Sequence, residues 1–378
     1  MKKRFLIYGW FGYENLGDEL ILKSIIEIIG NNNPNNVINV MGGRPKSIEK
    51  YHKGLNTVST NFDLRFKSIL RMFKYNPFKV IKNLFCNDYL IIGSGGALSD
   101  WNPESTVTLF FMINFFKKVL NKTIIILGAG AGPIIMEESM IKFKKVLEQV
   151  DCISLRDKES YDLLKEIGLN NIQLTNDVVY DFKDSFSNED KPKNEKDKIG
   201  IVIAPLLLNS DKKRADYIKE MIKYIKRLEK YGFYIKLIPF QYEYDINFFK
   251  EIQKETDVDI YEYSNMWGIL DEMKKYDLIV GMRFHSVVIS ILLNIPVLPI
   301  IYHSKVESCV KEFGLEFIAQ SIGDGDNWVD SNIDSDKMIR DTVNLLNNKE
   351  LEKQRIKDIL DKKLQNKNVN IIQEFINN

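Results

Sequence analysis

Between Asp277 and Ile301 the chain spells out a strand, a tight turn, a helix and a second strand with almost nothing between them. Leu278, Ile279 and Val280 form an apolar run that stops at Gly281. Met282, Arg283, Phe284, His285 and Ser286 follow as a short polar segment. Val287 to Leu293 has helical apolar spacing, and after Asn294 a second apolar run extends from Pro296 to Ile301. Runs this short are strands, and a helix between two strands makes them parallel. The stretch therefore commits the chain to an α/β fold, where ligands collect at the carboxyl ends of strands. Arg283 and His285 stand at that position. Arginine offers a fixed fork of donors to a carboxylate or phosphate. Histidine is the side chain that moves a proton most easily near neutral pH, and a helix N-terminus attracts anions. An anionic substrate handled with proton transfer is one reading. A surface arginine beside a structural histidine is the other, and this stretch alone leaves both open.

The same punctuation recurs along the chain. Arg4 to Gly9 reads as a buried strand, followed by the loop Gly12-Tyr13-Glu14-Asn15-Leu16-Gly17-Asp18-Glu19 and helical spacing from Leu20 to Ile29. Asp18 can cap that helix or take part in chemistry, and both remain open. Val37 to Met41 is a further strand. Tyr89 to Ile92 runs into Gly93-Ser94-Gly95-Gly96-Ala97-Leu98-Ser99-Asp100, where glycines would let a backbone approach a ligand and present its N–H groups. Val107 to Leu120 reads as one long apolar helix. Thr123 to Leu127 ends at Gly128, Gly130 and Gly132, and Cys152 to Leu155 leads into Arg156-Asp157. After a charged stretch without aliphatic residues, Lys183 to Lys198, a second alternation starts at Ile199. The expected architecture is α/β with two Rossmann-like domains, residues 1–182 and 199–349. Residues 183–198 would be the linker and 350–378 a C-terminal helix packed back on the first domain. A cleft between two such domains is the default ligand site.

Composition excludes several classes. Among 378 residues there are 53 basic and 52 acidic ones, a net charge of +1, so nothing draws the chain globally to nucleic acid. Cys86, Cys152 and Cys309 are widely spaced and odd in number, which suits neither a disulfide framework nor a zinc site and fits a reducing compartment. With only three histidines, a histidine-rich metal site is not expected. The opening MKKRFLIYGWFG has too short an apolar run for a signal peptide, with Glu14, Asp18 and Glu19 close behind. No run reaches the length of a membrane span, and the expected location is the cytoplasm. One segment stands apart: residues 64–85 hold six basic residues (Arg65, Lys67, Arg71, Lys74, Lys79, Lys82), no acid, and interleaved Phe and Ile. Such a pattern suits an anionic membrane surface. An ordinary helix pair with its apolar side in the core and its lysines in water has the same pattern, and is the simpler reading.

Taken together, the loops Gly12 to Glu19, Gly93 to Asp100 (GSGGALSD), Gly128 to Pro133 (GAGAGP), Ser154 to Asp157 (SLRD), Gly281 to Ser286 (GMRFHS) and Tyr302 to Val306 (YHSKV) resemble those of the polysaccharide pyruvyl transferase family, in the family's order and over nearly the whole chain. The resemblance implies two Rossmann-like domains in a GT-B-type arrangement. It implies transfer of pyruvate from phosphoenolpyruvate to a sugar of a cell-surface polysaccharide or its lipid-linked precursor, without a further cofactor or metal. Residue by residue, it implies that Arg156 and Arg283 hold the donor, with Phe284, Ser286 and Lys305 beside them. His285 would be the acid, with Lys305, Arg156 and Asp18 in supporting catalytic roles. The first domain would take the acceptor through Asn15, Gly17, Asp18, Gly95, Gly96 and Asp100. A glycan acceptor on a lipid carrier would place the enzyme at the inner membrane face, with residues 64–85 as a peripheral contact. Ser94 and His303 depart from the family pattern. A nucleotide-sugar glycosyltransferase and a non-catalytic phosphosugar-binding protein are the competing expectations.

Overall fold

In the computed structural model the described residues are 2–59, 77–93, 95–96, 98–100, 103–134, 136–186, 196–205, 211–322, 333–364 and 368–377. Residues 64–76 of the basic segment, Ser94, and 187–195 of the expected linker lie outside them. The chain forms two compact units, Met1–Phe182 with Leu364–Asn378, and Lys183–Lys363. Each is a parallel sheet flanked by helices.

The first unit carries strands β1 (Arg4–Tyr8), β2 (Val37–Gly42), β3 (Asn56–Ser59), β4 (Tyr89–Ile92), β5 (Thr123–Ala129), β6 (Cys152–Leu155) and β7 (Ile172–Leu174). They lie in the order β3-β2-β1-β4-β5-β6-β7, all parallel. The order reverses between β1 and β4, and at such a switch point the loops after two neighbouring strands part and leave room for a ligand. The strands are apolar on both faces: Phe5, Leu6, Ile7, Leu90, Ile91 and Ile92 are all fully buried, as expected of a sheet covered on both sides. The second unit repeats the plan with β8 (Lys198–Val202), β9 (Tyr234–Leu237), β10 (Asp259–Ile260), β11 (Leu278–Gly281), β12 (Val297–Ile301) and β13 (Gln320–Ser321). The order is β10-β9-β8-β11-β12-β13, again parallel, with the reversal between β8 and β11.

Several elements differ from the sequence expectation. β3 and β13 and the helices Pro45–Tyr51 and Ser304–Glu312 carry too few apolar residues to be read from periodicity. The expected helix Val107 to Leu120 is an α-helix, Pro103–Asn114, closed by a wider turn, Phe115–Val119, that puts Phe116 in the core. The C-terminal stretch 350–378 is not one helix. Lys349–Lys363 belongs to the second unit and Asn368–Asn377 to the first. The second of these is held by Asn368, which is fully buried. Its side-chain oxygen accepts from the Ser154 hydroxyl and from that of Thr175 (3.1 Å), its amide donates to the Asn176 carbonyl (2.8 Å), and its backbone N–H donates to Asp181 (3.0 Å). Four bonds at one buried asparagine fix this helix on the sheet edge at β6 and β7. No helix among the described residues is long and apolar enough to cross a membrane.

Candidate functional site

In the second unit the sequence-predicted residues gather at the carboxyl edge of the sheet, beside its switch point. β11 ends at Gly281, and Arg283 is the residue from which the helix Phe284–Leu292 starts. No side chain caps that helix at Arg283. Its positive end is therefore offered to an anion. Ser286 is fully buried, and its hydroxyl donates to the Arg283 carbonyl (2.6 Å), so it shapes the turn and does not reach outward. Gly281 has no room for a side chain: a Cβ there would lie 2.9 Å from the Ser286 hydroxyl.

The Arg283 guanidinium is 14% exposed and ion-paired through Nη2 with Asp245, itself fully buried. Asp245 sits in the first turn of the helix Tyr242–Gln253, after β9, and accepts backbone N–H bonds from Phe240 (3.0 Å) and Gln241 (2.9 Å). Burial pushes its carboxyl above the ordinary range, against the downward pull of Arg283 and these donors. The guanidinium also lies over the Tyr244 ring, 5.9 Å from its centre, while its Nε is buried with no hydrogen-bond partner among the described residues. An anion would meet the part of the side chain that stays open to solvent, while Asp245 holds Nη2. Asp245 thus aims the fork that the sequence singled out, a role that sequence spacing could not reveal.

His285 is half-buried in the first helical turn, its ring edge-on to Phe284 with centroids 4.9 Å apart. From the next strand, β12, comes the helix Ser304–Glu312. His303 caps it: its Nδ1 accepts the Lys305 N–H at 3.2 Å. In the neutral ring that bond places the proton on Nε2. The departure of His303 from the family pattern is thereby accounted for as a helix cap. Lys305 is half-buried, with its ammonium 5.8 Å from the Tyr302 ring centre.

The remaining predicted residues lie in the first unit. Asn15, not Asp18, caps the helix Leu16–Asn32, its side chain accepting the Gly17 N–H (3.1 Å). Asp18 is in the first turn. The neighbour the sequence did not single out, Glu19, is fully buried: it accepts the Gly12 N–H (2.6 Å) and pairs with His52 (3.0 Å). Gly95 and Gly96 follow β4. Their loop is zipped to the one after β5, with Gly130 donating to the Gly95 carbonyl (3.0 Å) and Gly132 to that of Leu98 (2.7 Å). Gly95 is thus held in loop packing, whereas Gly96 is exposed and a Cβ on it would meet open space. Asp100 braces the same pair, its carboxylate accepting the Met136 N–H (3.3 Å).

Arg156, at the end of β6, is buried and ion-paired with Asp177 (3.0 Å) and Asp157 (3.6 Å). A Cβ on Gly95 would lie 2.8 Å from its Nη1, and one on Gly130 3.0 Å from its Nη2. Among the described residues there is no group of acidic, histidine and cysteine side chains fit to hold a metal.

A family model for polysaccharide pyruvyl transferases matches residues 15–304, a span that runs from the first helix through β2 to β12 and ends just before Lys305. The chain belongs to the polysaccharide pyruvyl transferase family. No curated protein matches it. Among solved structures, UDP-GlcNAc 2-epimerase from Neisseria meningitidis bound to UDP-GlcNAc is similar at 12% identity, with a TM-score of 0.63 and 100% of both chains covered. The S. aureus MnaA–UDP co-structure is similar at 13% identity and a TM-score of 0.57, covering 100% of this chain and 97% of that one. A glycosyltransferase from Rickettsia africae is similar at 12% identity and a TM-score of 0.57, covering 100% and 99%. At these identities the likeness is one of fold, two Rossmann-like domains of the kind found in B-type glycosyltransferases.

For this pyruvyl transferase family member, Arg156 has a task inside its own unit, whatever else it binds. Arg156→Lys keeps the charge but loses the fork that lies against Gly95 and Gly130. A loss of about 1–3 kcal/mol in stability is expected, measured by thermal melting.

Proposed function

We propose that this chain transfers pyruvate from phosphoenolpyruvate to a glycan, forming a pyruvyl ketal and releasing phosphate. The observation that carries this is the group at the carboxyl edge of the second sheet: an arginine aimed by Asp245, a helix N-terminus with no side-chain cap, His285 in the first turn of that helix, and Lys305 in the first turn of the helix after the neighbouring strand. Phosphoenolpyruvate is a small anion carrying both a carboxylate and a phosphate, and Arg283 and Lys305 supply the opposite charge. His285 gives a proton to C3, which makes C2 electrophilic. A sugar hydroxyl adds to C2 and returns a proton to His285, the C2–O bond to phosphate breaks, and a second hydroxyl closes the ketal as its proton leaves with the phosphate. Proton transfer and fixed cations suffice for these steps, so the mechanism calls for no metal or cofactor. General acid–base help of this kind contributes about 10²–10⁴ in rate.

Calorimetric competition between phosphoenolpyruvate and a uridine diphosphate-sugar tests the donor. Phosphoenolpyruvate alone should bind. Binding of the nucleotide sugar instead would turn the assignment to a glycosyltransferase, the class to which some proteins of this fold belong. Donor binding with no turnover on any glycan would leave a phosphosugar-binding protein.

The acceptor in this reading is lipid-linked, which brings the protein to an anionic membrane face. The described part of the basic segment supports that: in the helix Pro77–Phe85, Phe78 is 82% exposed, Phe85 52% and Ile81 43%, beside the exposed Lys82. Apolar side chains left in water on a basic helix fit shallow insertion, and each basic residue adds about 1 kcal/mol near an anionic leaflet. Salt-sensitive co-sedimentation with phosphatidylglycerol vesicles is expected. It should be lost when Arg65, Arg71, Lys74 and Lys79 are changed to Gln. Equal sedimentation of both proteins would remove the membrane contact from the account.

A further inference from the structure

The loop after β1 presents a feature that neither the donor site nor the predicted acceptor residues use. Trp10 and Tyr13 stack, with ring centroids 4.4 Å apart and planes 16° from parallel. Trp10 is nevertheless 48% exposed: one face lies on Tyr13 and much of the rest is in solvent. The exposed Arg44, from the loop after β2, lies over Tyr13 with its guanidinium carbon 5.5 Å from the ring centre. A stacked pair of rings with the indole face left open is a surface that an apolar ligand face can cover.

The arrangement is built, not incidental. Gly12 has a left-handed φ of +89°, and a Cβ there would lie 2.6 Å from the Arg44 carbonyl oxygen. At Gly43 a Cβ would collide with the Tyr13 hydroxyl and ring. Glu14, although not a glycine, also holds a left-handed φ of 55°, a conformation that persists only when its surroundings enforce it. Beneath the loop, the buried Glu19 carboxylate takes the Gly12 N–H on one oxygen (2.6 Å) and His52 on the other (3.0 Å). Two glycines, a strained residue and a buried acid–histidine pair all fix where the two rings sit.

We infer that Trp10, Tyr13 and Arg44 form a platform that seats a pyranose ring of the acceptor glycan, a statement about the acceptor that rests on the proposed pyruvyl transfer. A pyranose has one face lined by C–H groups. These carry slight positive charge and meet the negative face of an aromatic ring favourably, while the hydroxyls at the rim stay hydrated. Arg44 adds planar donors at the edge of the stack, suited to ring hydroxyls or an acidic substituent. The platform lies on the same sheet edge as Gly95 and Gly96, the loops after β1 and β4 meeting where a Cβ on Gly9 would strike the Gly93 carbonyl oxygen.

The test uses the whole chain on arrayed pyranosides of gluco, galacto and manno configuration, with and without N-acetyl groups, and measures phosphoenolpyruvate affinity in parallel. The wild type should bind at least one class. Trp10→Ala should bind it at least about tenfold more weakly, the loss expected of one aromatic contact in a solvent-facing site. Trp10→Phe should recover part of the binding, and donor affinity should be unchanged in both. Equal glycan binding by wild type and Trp10→Ala, or no pyranoside bound by the wild type, would overturn the platform. Trp10-dependent glycan binding in a protein that ignores phosphoenolpyruvate would keep the platform and sink the proposed transfer instead.

Discussion

His285→Gln should lose most of the turnover, on the order of 10²–10⁴-fold, while keeping its fold and its affinity for phosphoenolpyruvate. His285 is half-buried and its ring rests against Phe284, a contact that glutamine can replace in large part. Glutamine is also a good helix former, so the helix Phe284–Leu292 should start as before. What glutamine cannot do is give up a proton near neutral pH. The measurement is steady-state phosphate release beside donor calorimetry and a thermal melt. Near-normal turnover would move the proton donor elsewhere, to Lys305 first.

Arg283 needs a more careful substitution. Removing its side chain strands Asp245, which is fully buried, and breaking a buried ion pair on one side costs about 3–5 kcal/mol. Arg283→Lys keeps a charge near Asp245 and loses the fork. Its phosphoenolpyruvate affinity should fall by about ten- to a hundredfold, the worth of one charge-assisted bond, with only a modest change in melting temperature. Arg283→Met should be less stable in a pH-dependent way. Burial already raises the Asp245 carboxyl above its usual 3.8, and Arg283 is the largest influence opposing that. Without the guanidinium the carboxyl rises further. An acid whose folded pKa is raised contributes stability that is complete below its unfolded pKa and is lost as pH climbs through the folded one. The stability deficit of Arg283→Met against the wild type should therefore be smaller at about pH 5 than at about pH 7.5. A deficit independent of pH would mean that Asp245 is not the group left uncompensated.

The parallel α/β plan was legible because buried strands announce themselves as short apolar runs ending in glycine, as at Leu278 to Gly281 and Tyr89 to Gly93. The positions of Arg283, His285 and Lys305 followed from those strand ends, since a residue just past a strand's carboxyl end has nowhere else to be. Asp245 was not legible. In sequence it is an acid on an amphipathic helix, far in the chain from Arg283, and only the spacing of β9, β8 and β11 across the sheet brings the two together. Glu19 was overlooked for Asp18 because adjacent acids look alike until burial separates them. His52 and Asn368 find their partners by tertiary packing alone. The C-terminal break between Lys363 and Asn368 has no proline or glycine to mark it. The tyrosine and tryptophan of the first loop were visible as residues, but their stacking depends on Gly12, Gly43 and the bond from Gly12 to Glu19.

Transfer of pyruvate to a glycan is read out by mass spectrometry of glycan acceptors incubated with the protein and phosphoenolpyruvate. An acceptor heavier by one pyruvyl ketal is expected, with phosphate released in equal amount and both products cut to a small fraction with His285→Gln. Phosphoenolpyruvate left intact beside unmodified acceptors, across glycans that the protein demonstrably binds, would contradict it.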